Sequence, residues 1–114
     1  MKFIALLICL AIAITACDFR KQADAKFGDQ HFKTAISLIE LHKVRYGVYP
    51  ETLDKLMYTG DWDKIALSSV EYRRREAGYE LNLVRGWVGK PEVSYPPEFW
   101  QGLGLVASNV KATP

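Results

Sequence analysis

The sequence contains very few residues of the types that build disulfide frameworks and metal sites. Among 114 residues there are two cysteines, Cys9 and Cys17, and two histidines, His31 and His42. Cys9 lies in an N-terminal apolar stretch, so a domain that follows this stretch holds Cys17 alone and no disulfide. The histidines are 11 positions apart, about 16 Å along a helix, whereas a helical metal pair is spaced by four. We therefore expect no metal, no cofactor and a fold stabilised by packing.

A marked excess of one charge is also missing. Lysine and arginine together number 15 against 13 aspartates and glutamates, and the formal net charge is +2. Nucleic-acid-binding domains usually concentrate a clear basic excess on one face. The balance argues against a nucleic-acid partner.

No apolar run is long enough to span a bilayer. The longest, from Phe3 to Ala16, has 14 residues, whereas a spanning helix needs ~20. Lys2 precedes the run and small residues end it, which is typical of a secretory signal peptide. The last four positions, Ile14-Thr15-Ala16-Cys17, resemble the bacterial lipobox.

The lipobox resemblance implies cleavage between Ala16 and Cys17 and lipidation of Cys17. Two or more acyl chains give stable membrane anchoring. Asp18 follows the anchor, and in enteric bacteria an aspartate there is associated with retention in the inner membrane. We expect a signal peptide at 1–16, the lipidated cysteine with a tether or fraying helix start at 17–28, and one periplasmic domain at 29–114. A plain secretory signal and an uncleaved anchor are the alternatives.

The segment from Asp29 to Tyr46 has the pattern of an amphipathic helix. Apolar side chains recur on one face: Phe32, Ala35, Ile36, Ile39 and Tyr46. Asp29 can cap the start, and Gly47 can follow the end. Leu41 and Val44 lie off this face, which predicts that the domain or a partner covers them.

A second, shorter helix is predicted after an elbow. Pro50 suits the first position of a helix, where its missing N–H costs nothing. The apolar residues Leu53, Leu56 and Met57 follow at the spacing of one buried face, and Gly60 with Asp61 ends the helix.

The long helix and its elbow, "YGVYPETLDKL" from Tyr46 to Leu56, resemble the soluble domains of type II secretion pseudopilins and related type IV pilin-like proteins. The resemblance spans roughly Phe32 to Leu83. Its motif positions are Tyr46, Gly47, Tyr49, Pro50, Leu53 and Leu56. It implies an α+β fold in which a long helix and a short second helix pack on a small antiparallel sheet. An unrelated helical hairpin that uses glycine and proline at its turn is the alternative.

One part of the family pattern is replaced. Pilins continue the long helix into a hydrophobic N-terminal part that packs the filament core, where this sequence has a lipobox and a short polar segment. We therefore expect an accessory protein rather than a filament subunit.

Alternating apolar residues predict a hairpin in the second half. Val70–Arg75 and Tyr79–Val84 alternate as strands do, and Glu76–Gly78 can form the loop between them. Glu92–Tyr95 can add a third strand, and the apolar tail from Gly102 can add an edge strand.

No pattern of catalytic residues emerges. Ser68 and Ser69 lack a nucleophile-elbow motif. Gly102 and Gly104 lack the rest of a nucleotide-binding loop. Asp61 and Asp63 fit a solvated turn better than a calcium loop, which needs oxygen ligands over 12 positions. We interpret the chain as noncatalytic.

Two segments are candidate protein-binding surfaces. Arg73, Arg74 and Arg75 can protect a strand edge, contact anionic lipid headgroups near the anchor, or bind an acidic partner. The segment "SYPPEFW" contains Tyr95, Phe99 and Trp100, of residue types enriched in interface hot spots, although the same rings can pack over the sheet.

These features favour a lipid-anchored, protein-binding accessory component of a secretion or pilus-type system. Two alternatives stay open. The first is a periplasmic immunity or inhibitor lipoprotein that binds a toxic enzyme. The second is a ligand-binding lipoprotein with an aromatic pocket formed by Trp62, Trp87 and Trp100.

Overall fold

A computed structural model describes the backbone of residues 2–57 and 59–114 and the side chains of residues 18–57 and 59–114. The elements follow in the order α1 (Lys2–Tyr46), α2 (Asp61–Ser68), β1 (Val70–Arg75), β2 (Gly78–Leu83), β3 (Ser94–Tyr95), α3 (Pro97–Trp100), β4 (Leu105–Ala107) and β5 (Lys111–Ala112). The fold is α+β, as predicted. The predicted cleavage site, Ala16 and Cys17, lies outside the residues whose side chains are described.

The first helix is longer than the sequence pattern predicted. It is one α-helix of 45 residues, about 67 Å long at 1.5 Å per residue. The segment 17–28, where we predicted a tether or a fraying start, is helical throughout. It contains no proline, and Gly28 is its only glycine, so no residue in it breaks the helical hydrogen bonds.

The elbow differs from the predicted second helix. α1 ends at Tyr46, and the Gly47 that follows has a φ of 77° and donates its N–H to the Lys43 carbonyl at 2.8 Å. After Pro50 there is only one turn of 3-10 helix, Leu53–Lys55. The Thr52 hydroxyl donates to the Asp54 carboxylate within this turn.

The second helix starts where we predicted that it would end. Gly60 precedes α2, and the Asp63 carboxylate accepts the Gly60 N–H at 2.9 Å. Asp61 and Asp63 therefore place negative charge in the first turn, where the helix dipole favours it.

The main sheet has the order β1-β2-β4 and is mixed rather than antiparallel. β1 and β2 form the predicted hairpin, in which Val70 pairs with Leu83 and Arg75 with Gly78. β4 runs parallel to β2, so the prediction of an all-antiparallel sheet was wrong. The long connection through α3 brings the chain back to the same end of the sheet, as a parallel pairing requires.

The predicted third strand is short and lies elsewhere. Of Glu92–Tyr95, only Ser94 and Tyr95 are in a strand, and they pair in parallel with β5 in a separate two-stranded sheet. The C-terminal tail supplies both β4 and β5, so it contributes strands to two sheets.

The core lies between α1 and the inner face of the hairpin. Phe32, Ala35, Ile36 and Ile39 from α1 are buried, as are Tyr79, Leu81 and Leu83 from β2. Tyr46, predicted on the same buried face, is half exposed. It lies at the end of α1, where its ring contacts His42 and its hydroxyl approaches the Met57 sulfur at 3.5 Å.

Candidate interaction surfaces

The N-terminal part of α1 is fixed to the body by a carboxylate. A single oxygen of Asp24, Oδ1, accepts the backbone N–H groups of Trp87, Val88 and Gly89 at 2.8, 2.8 and 3.0 Å. These hydrogen bonds, led by the one from Gly89, hold the pKa of Asp24 below its ordinary value. The loop is thus held against a helix position seven residues after Cys17, about 10 Å along the axis.

Two glycines permit this close approach. A Cβ on Gly86 would lie 2.1 Å from the Asp24 carbonyl oxygen, and one on Gly28 would lie 2.4 Å from the Pro91 Cγ. Such separations are shorter than side chains allow, so both positions require glycine unless the loop moves. The segment that the sequence marked as a tether is therefore part of a tightly packed joint.

Exposed apolar and cationic side chains lie beside this joint, on the α1 residues that precede Asp24 and on the loop that Asp24 holds. Phe19 is 62% exposed and packs edge-on against Trp87, with ring centroids 6.0 Å apart. Val88 is 61% exposed, and Arg20 and Lys21 are exposed on the helix. We call Phe19, Arg20, Lys21, Trp87 and Val88 the proximal collar.

A groove of about 430 Å³ separates α1 from α2, and its lining includes Phe27, His31, Trp62, Arg85 and Trp87. Trp62 is 78% exposed. Burial lowers the pKa of His31. The predicted pocket of three tryptophans is not assembled, because Trp100 packs against Phe32 and Tyr95 instead.

The opposite end of the body is organised around Glu40. Its carboxylate accepts the hydroxyls of Tyr49 and Tyr79 at 2.9 and 2.8 Å and the backbone N–H of Gly104 at 3.0 Å. Burial, followed by the hydrogen bond to Glu40, raises the pKa of Tyr49 to about 12. The same two causes raise the pKa of Tyr79.

This cluster gives the elbow motif a structural role. Gly47 supplies the left-handed residue that ends α1, and Tyr49 ties the elbow to Glu40. The buried Pro50 accepts the Tyr72 hydroxyl at its carbonyl, 2.6 Å away. Leu53 and Leu56 pack half-buried against the core.

An apolar patch remains uncovered beyond this cluster. We call Leu41, Val44, Tyr46, Val48 and Met57 the distal patch, and each member is exposed. Val44 is the most open, at 79%. Leu41 and Val44 were predicted to need cover, and the described part of the domain leaves both exposed.

The arginine run lies at the distal end, far from Cys17. Arg74 and Arg75 rim a shallow cavity of about 710 Å³ together with Lys43. Lys43 follows Cys17 by 26 residues, about 39 Å along α1. The hypothesis that these arginines contact headgroups near the anchor stays a prediction, and the structure places them far along α1 from Cys17.

The run instead occupies the outer strand of the main sheet. Arg75 pairs with Glu80, and Arg74 lies 3.8 Å from Glu51. Arg73 is exposed on the same strand. Charged side chains on an outer strand discourage edge-to-edge pairing with another chain.

The aromatic C-terminal segment belongs to the core. Tyr95 is buried, its ring stacks on Phe32 at 5.9 Å, and its hydroxyl donates to Asp29 at 2.7 Å. Phe99 and Trp100 pack half-buried on the same cluster. The hypothesis of a partner surface is therefore corrected for the buried Tyr95, and for the half-buried Phe99 and Trp100 it stays a prediction.

The histidines lie in different environments. His31 lines the groove between the helices, whereas the His42 Nδ1 lies 2.9 Å from the Val48 carbonyl oxygen. Within residues 18–57 and 59–114, no three histidine, cysteine or acidic side chains are grouped so as to hold a metal ion. In the same ranges, no helix combines the length and hydropathy needed to cross a membrane.

Comparison of the chain with protein-family models, with characterised proteins and with solved structures gives no match. The resemblance to pilin-like domains therefore stays a prediction from the sequence motif at Tyr46–Leu56.

Proposed function

We propose that this chain is a noncatalytic, lipid-anchored envelope protein that binds another envelope protein, as an accessory component of a secretion or pilus-type system. In this proposal Cys17 carries the lipid and the body faces the periplasm. The distal patch is the partner-binding surface.

The observation that carries the proposal is the concentration of exposed apolar side chains at one end of the body. Scattered exposed apolar residues are ordinary on a soluble domain. Here five of them lie around one helix end and its elbow, and concentrations of exposed apolar residues of this kind mark interaction sites. The Tyr46–Met57 contact and the approach of His42 to Val48 join the helix end to the elbow.

The long helix supports the arrangement. If cleavage occurs before Cys17, the helical residues from Cys17 to Tyr46 remain, a rod of about 45 Å. The Asp24 joint holds the body on this rod, so the distal patch would face away from the membrane.

Site-specific photocrosslinking tests the proposal in the native host. A photoreactive phenylalanine analogue replaces Val44 in the full chain, and the same analogue at Lys33, an exposed position on α1 outside the patch, is the matched control. We expect an adduct from position 44 that contains a secretion or pilus component and that is lost in Cys17→Ala. An adduct with a single toxic enzyme, formed equally by Cys17→Ala, would favour the immunity-lipoprotein alternative. The absence of any adduct specific to position 44 would contradict partner binding at the distal patch.

A further inference from the structure

We infer that the proximal collar is a membrane-docking surface that rests on anionic phospholipid headgroups beside the lipid anchor. The inference deepens the proposed function and rests on its lipidated Cys17. It assigns a role to a surface for which the partner-binding proposal has no use.

The first argument is position. Phe19 follows Cys17 by two residues on the same helix, about 3 Å along the axis. Side chains on a helix tilt toward its N-terminus, so the Phe19 ring leans toward the anchor. The edge-on contact with Phe19 holds the Trp87 ring at the same level.

The second argument is composition. Interfacial segments bury their apolar side chains ~5–10 Å into the boundary between headgroups and acyl chains. Tryptophan is enriched at this depth. Phe19, Trp87 and Val88 are exposed and apolar, and the contact between Phe19 and Trp87 lies two residues of helix beyond Cys17, where an anchored chain would meet this layer.

The third argument is charge. Arg20 and Lys21 are exposed next to Phe19, and a cation close to an anionic membrane contributes about 1 kcal/mol. Asp18 and Asp24 are the acidic residues of this part of the helix. Their charges offset those of Arg20 and Lys21, and the exposed Arg85 and Lys90 of the adjoining loop add two further cations beside Trp87 and Val88. The surface therefore combines exposed cations with apolar rings, as anionic headgroups over acyl chains require.

The fourth argument is rigidity. A loop that moved freely would lose conformational entropy on docking. The Asp24 carboxylate and the close packing at Gly86 already hold Trp87 and Val88 in place. The collar is thus preorganised, and docking needs little further ordering.

A spin label on one residue tests the inference with the full, processed lipoprotein in vesicles. Val88→Cys is labelled, and its collisions with oxygen, which is concentrated in lipid, are compared with those of a water-soluble nickel chelate. Val106→Cys is the matched control, since Val106 is an exposed valine of β4 with a similar exposure, 54%. A Cβ on Gly78, at the distal end of the hairpin, would contact the Val106 side chain, which places the control far from the anchor.

We expect the oxygen-to-nickel collision ratio at position 88 to exceed that at position 106 several-fold in phosphatidylglycerol vesicles. We also expect the ratio at position 88 to fall in phosphatidylcholine vesicles and in Arg20→Ala/Lys21→Ala. Equal ratios at the two positions would overturn the inference. An undiminished ratio in phosphatidylcholine would overturn the assignment to an anionic surface.

The processed lipoprotein without an added cysteine, called the parent, is the control that distinguishes failure of the inference from failure of the proposed function. If Cys17 is lipidated and Cys9 has been removed with the signal peptide, the parent has no free thiol and takes up no label. A parent that labels, or that does not join vesicles, would contradict the lipid anchor itself. A parent that joins vesicles unlabelled, with a water-exposed label at position 88, would contradict the docking surface alone.

Discussion

At the scale of single residues, Glu40 connects distant parts of the chain. It joins α1 to the elbow through Tyr49, to β2 through Tyr79 and to the chain before β4 through Gly104. Hydrogen bonds to a charged acceptor contribute about 1.5–3 kcal/mol, and leaving buried donors unpaired costs about 1–3 kcal/mol. The carboxylate therefore holds three parts of the chain that are far apart in sequence.

We predict that Glu40→Ala lowers the free energy of unfolding by about 3 kcal/mol, because it leaves two tyrosine hydroxyls and one backbone N–H without their acceptor. Urea denaturation of the full chain measures the effect. Glu92→Ala, which removes an exposed carboxylate, is the matched control and is expected to change stability by less than ~0.5 kcal/mol. Equal effects of the two substitutions would show that the Glu40 cluster contributes nothing specific.

The same cluster predicts loss of stability at alkaline pH. Burial, and then Glu40, raises the pKa of Tyr49 to about 12, whereas a tyrosine in the unfolded chain has a pKa of about 10. The folded state keeps this proton where the unfolded state loses it. The stabilisation is therefore complete below about pH 10 and is lost as the pH rises toward about 12.

Urea midpoints measured from about pH 8 to about pH 11.5 test this linkage. We expect the urea midpoint to be constant up to about pH 10 and to fall at higher pH. In Tyr49→Phe this fall should be shallower. Tyr46→Phe, at a half-exposed ring outside the Glu40 cluster, should leave the slope unchanged. A wild-type midpoint that does not fall would contradict the prediction.

The sequence could not have revealed Glu40 or Asp24 as joints. The partners of Glu40 lie 9, 39 and 64 positions away, and those of Asp24 lie 63 to 65 positions away. No short-range sequence spacing connects Glu40 or Asp24 with these partners. From the sequence, both look like ordinary polar positions on a helix. The elbow motif could be recognised because its glycine, tyrosine and proline are adjacent.

At the scale of elements, the sequence pattern predicted strands correctly where the paired residues are close in sequence. The hairpin was predicted almost to the residue, because alternation marks both strands and its turn is short. Gly78 belongs to β2 rather than to the loop, since β4 packs against it: a Cβ there would lie 1.9 Å from the Gly104 carbonyl oxygen. Such a contact depends on residues 26 positions away.

Longer-range elements were the ones missed or misread. α2 has only eight residues, too few for a helical period to be distinguished from a turn. The parallel pairing of β2 with β4 joins residues more than 20 positions apart. The extension of α1 through 17–28 is supported by contacts with the loop at Gly86–Pro91, which the polar sequence of the segment does not indicate.

Packing of α1 against this loop decides the effect of a substitution at Gly28. Alanine in place of glycine inside a helix usually gains about 1 kcal/mol. Here a Cβ would lie 2.4 Å from the ring of Pro91, and such overpacking costs about 1–3 kcal/mol. We predict that Gly28→Ala destabilises the chain or leaves it unchanged, in spite of the gain in helix propensity.

The double variant Gly28→Ala/Pro91→Ala provides the test, with urea denaturation as the measurement. Removing the ring should restore part of the stability that Gly28→Ala loses, so the effects of the two single substitutions should not add. A stabilising Gly28→Ala, or strictly additive effects, would contradict close packing between α1 and the loop.

At the scale of the whole molecule, α1 sets the distance between Cys17 and the distal patch. Val44 follows Cys17 by 27 residues on one uninterrupted helix, about 40 Å along the axis. The Asp24 joint holds the body to this helix seven residues after Cys17. The two proposals are therefore coupled, because a body docked at its collar would present the distal patch at a fixed height.

We predict that a fluorescent donor on Val44→Cys lies at a single, narrowly distributed height above the bilayer, no greater than about 40 Å. Time-resolved energy transfer to acceptor lipids measures this height, and a donor on Val88→Cys should transfer far more strongly. Inserting Gly-Ser-Gly-Ser-Gly between Lys21 and Gln22 breaks the helix between anchor and joint. The insertion should broaden the distribution of donor heights and reduce photocrosslinking from position 44, because the distal patch would no longer be held at one height. A wild-type distribution as broad as that of the insertion variant would show that the helix does not hold the body in place.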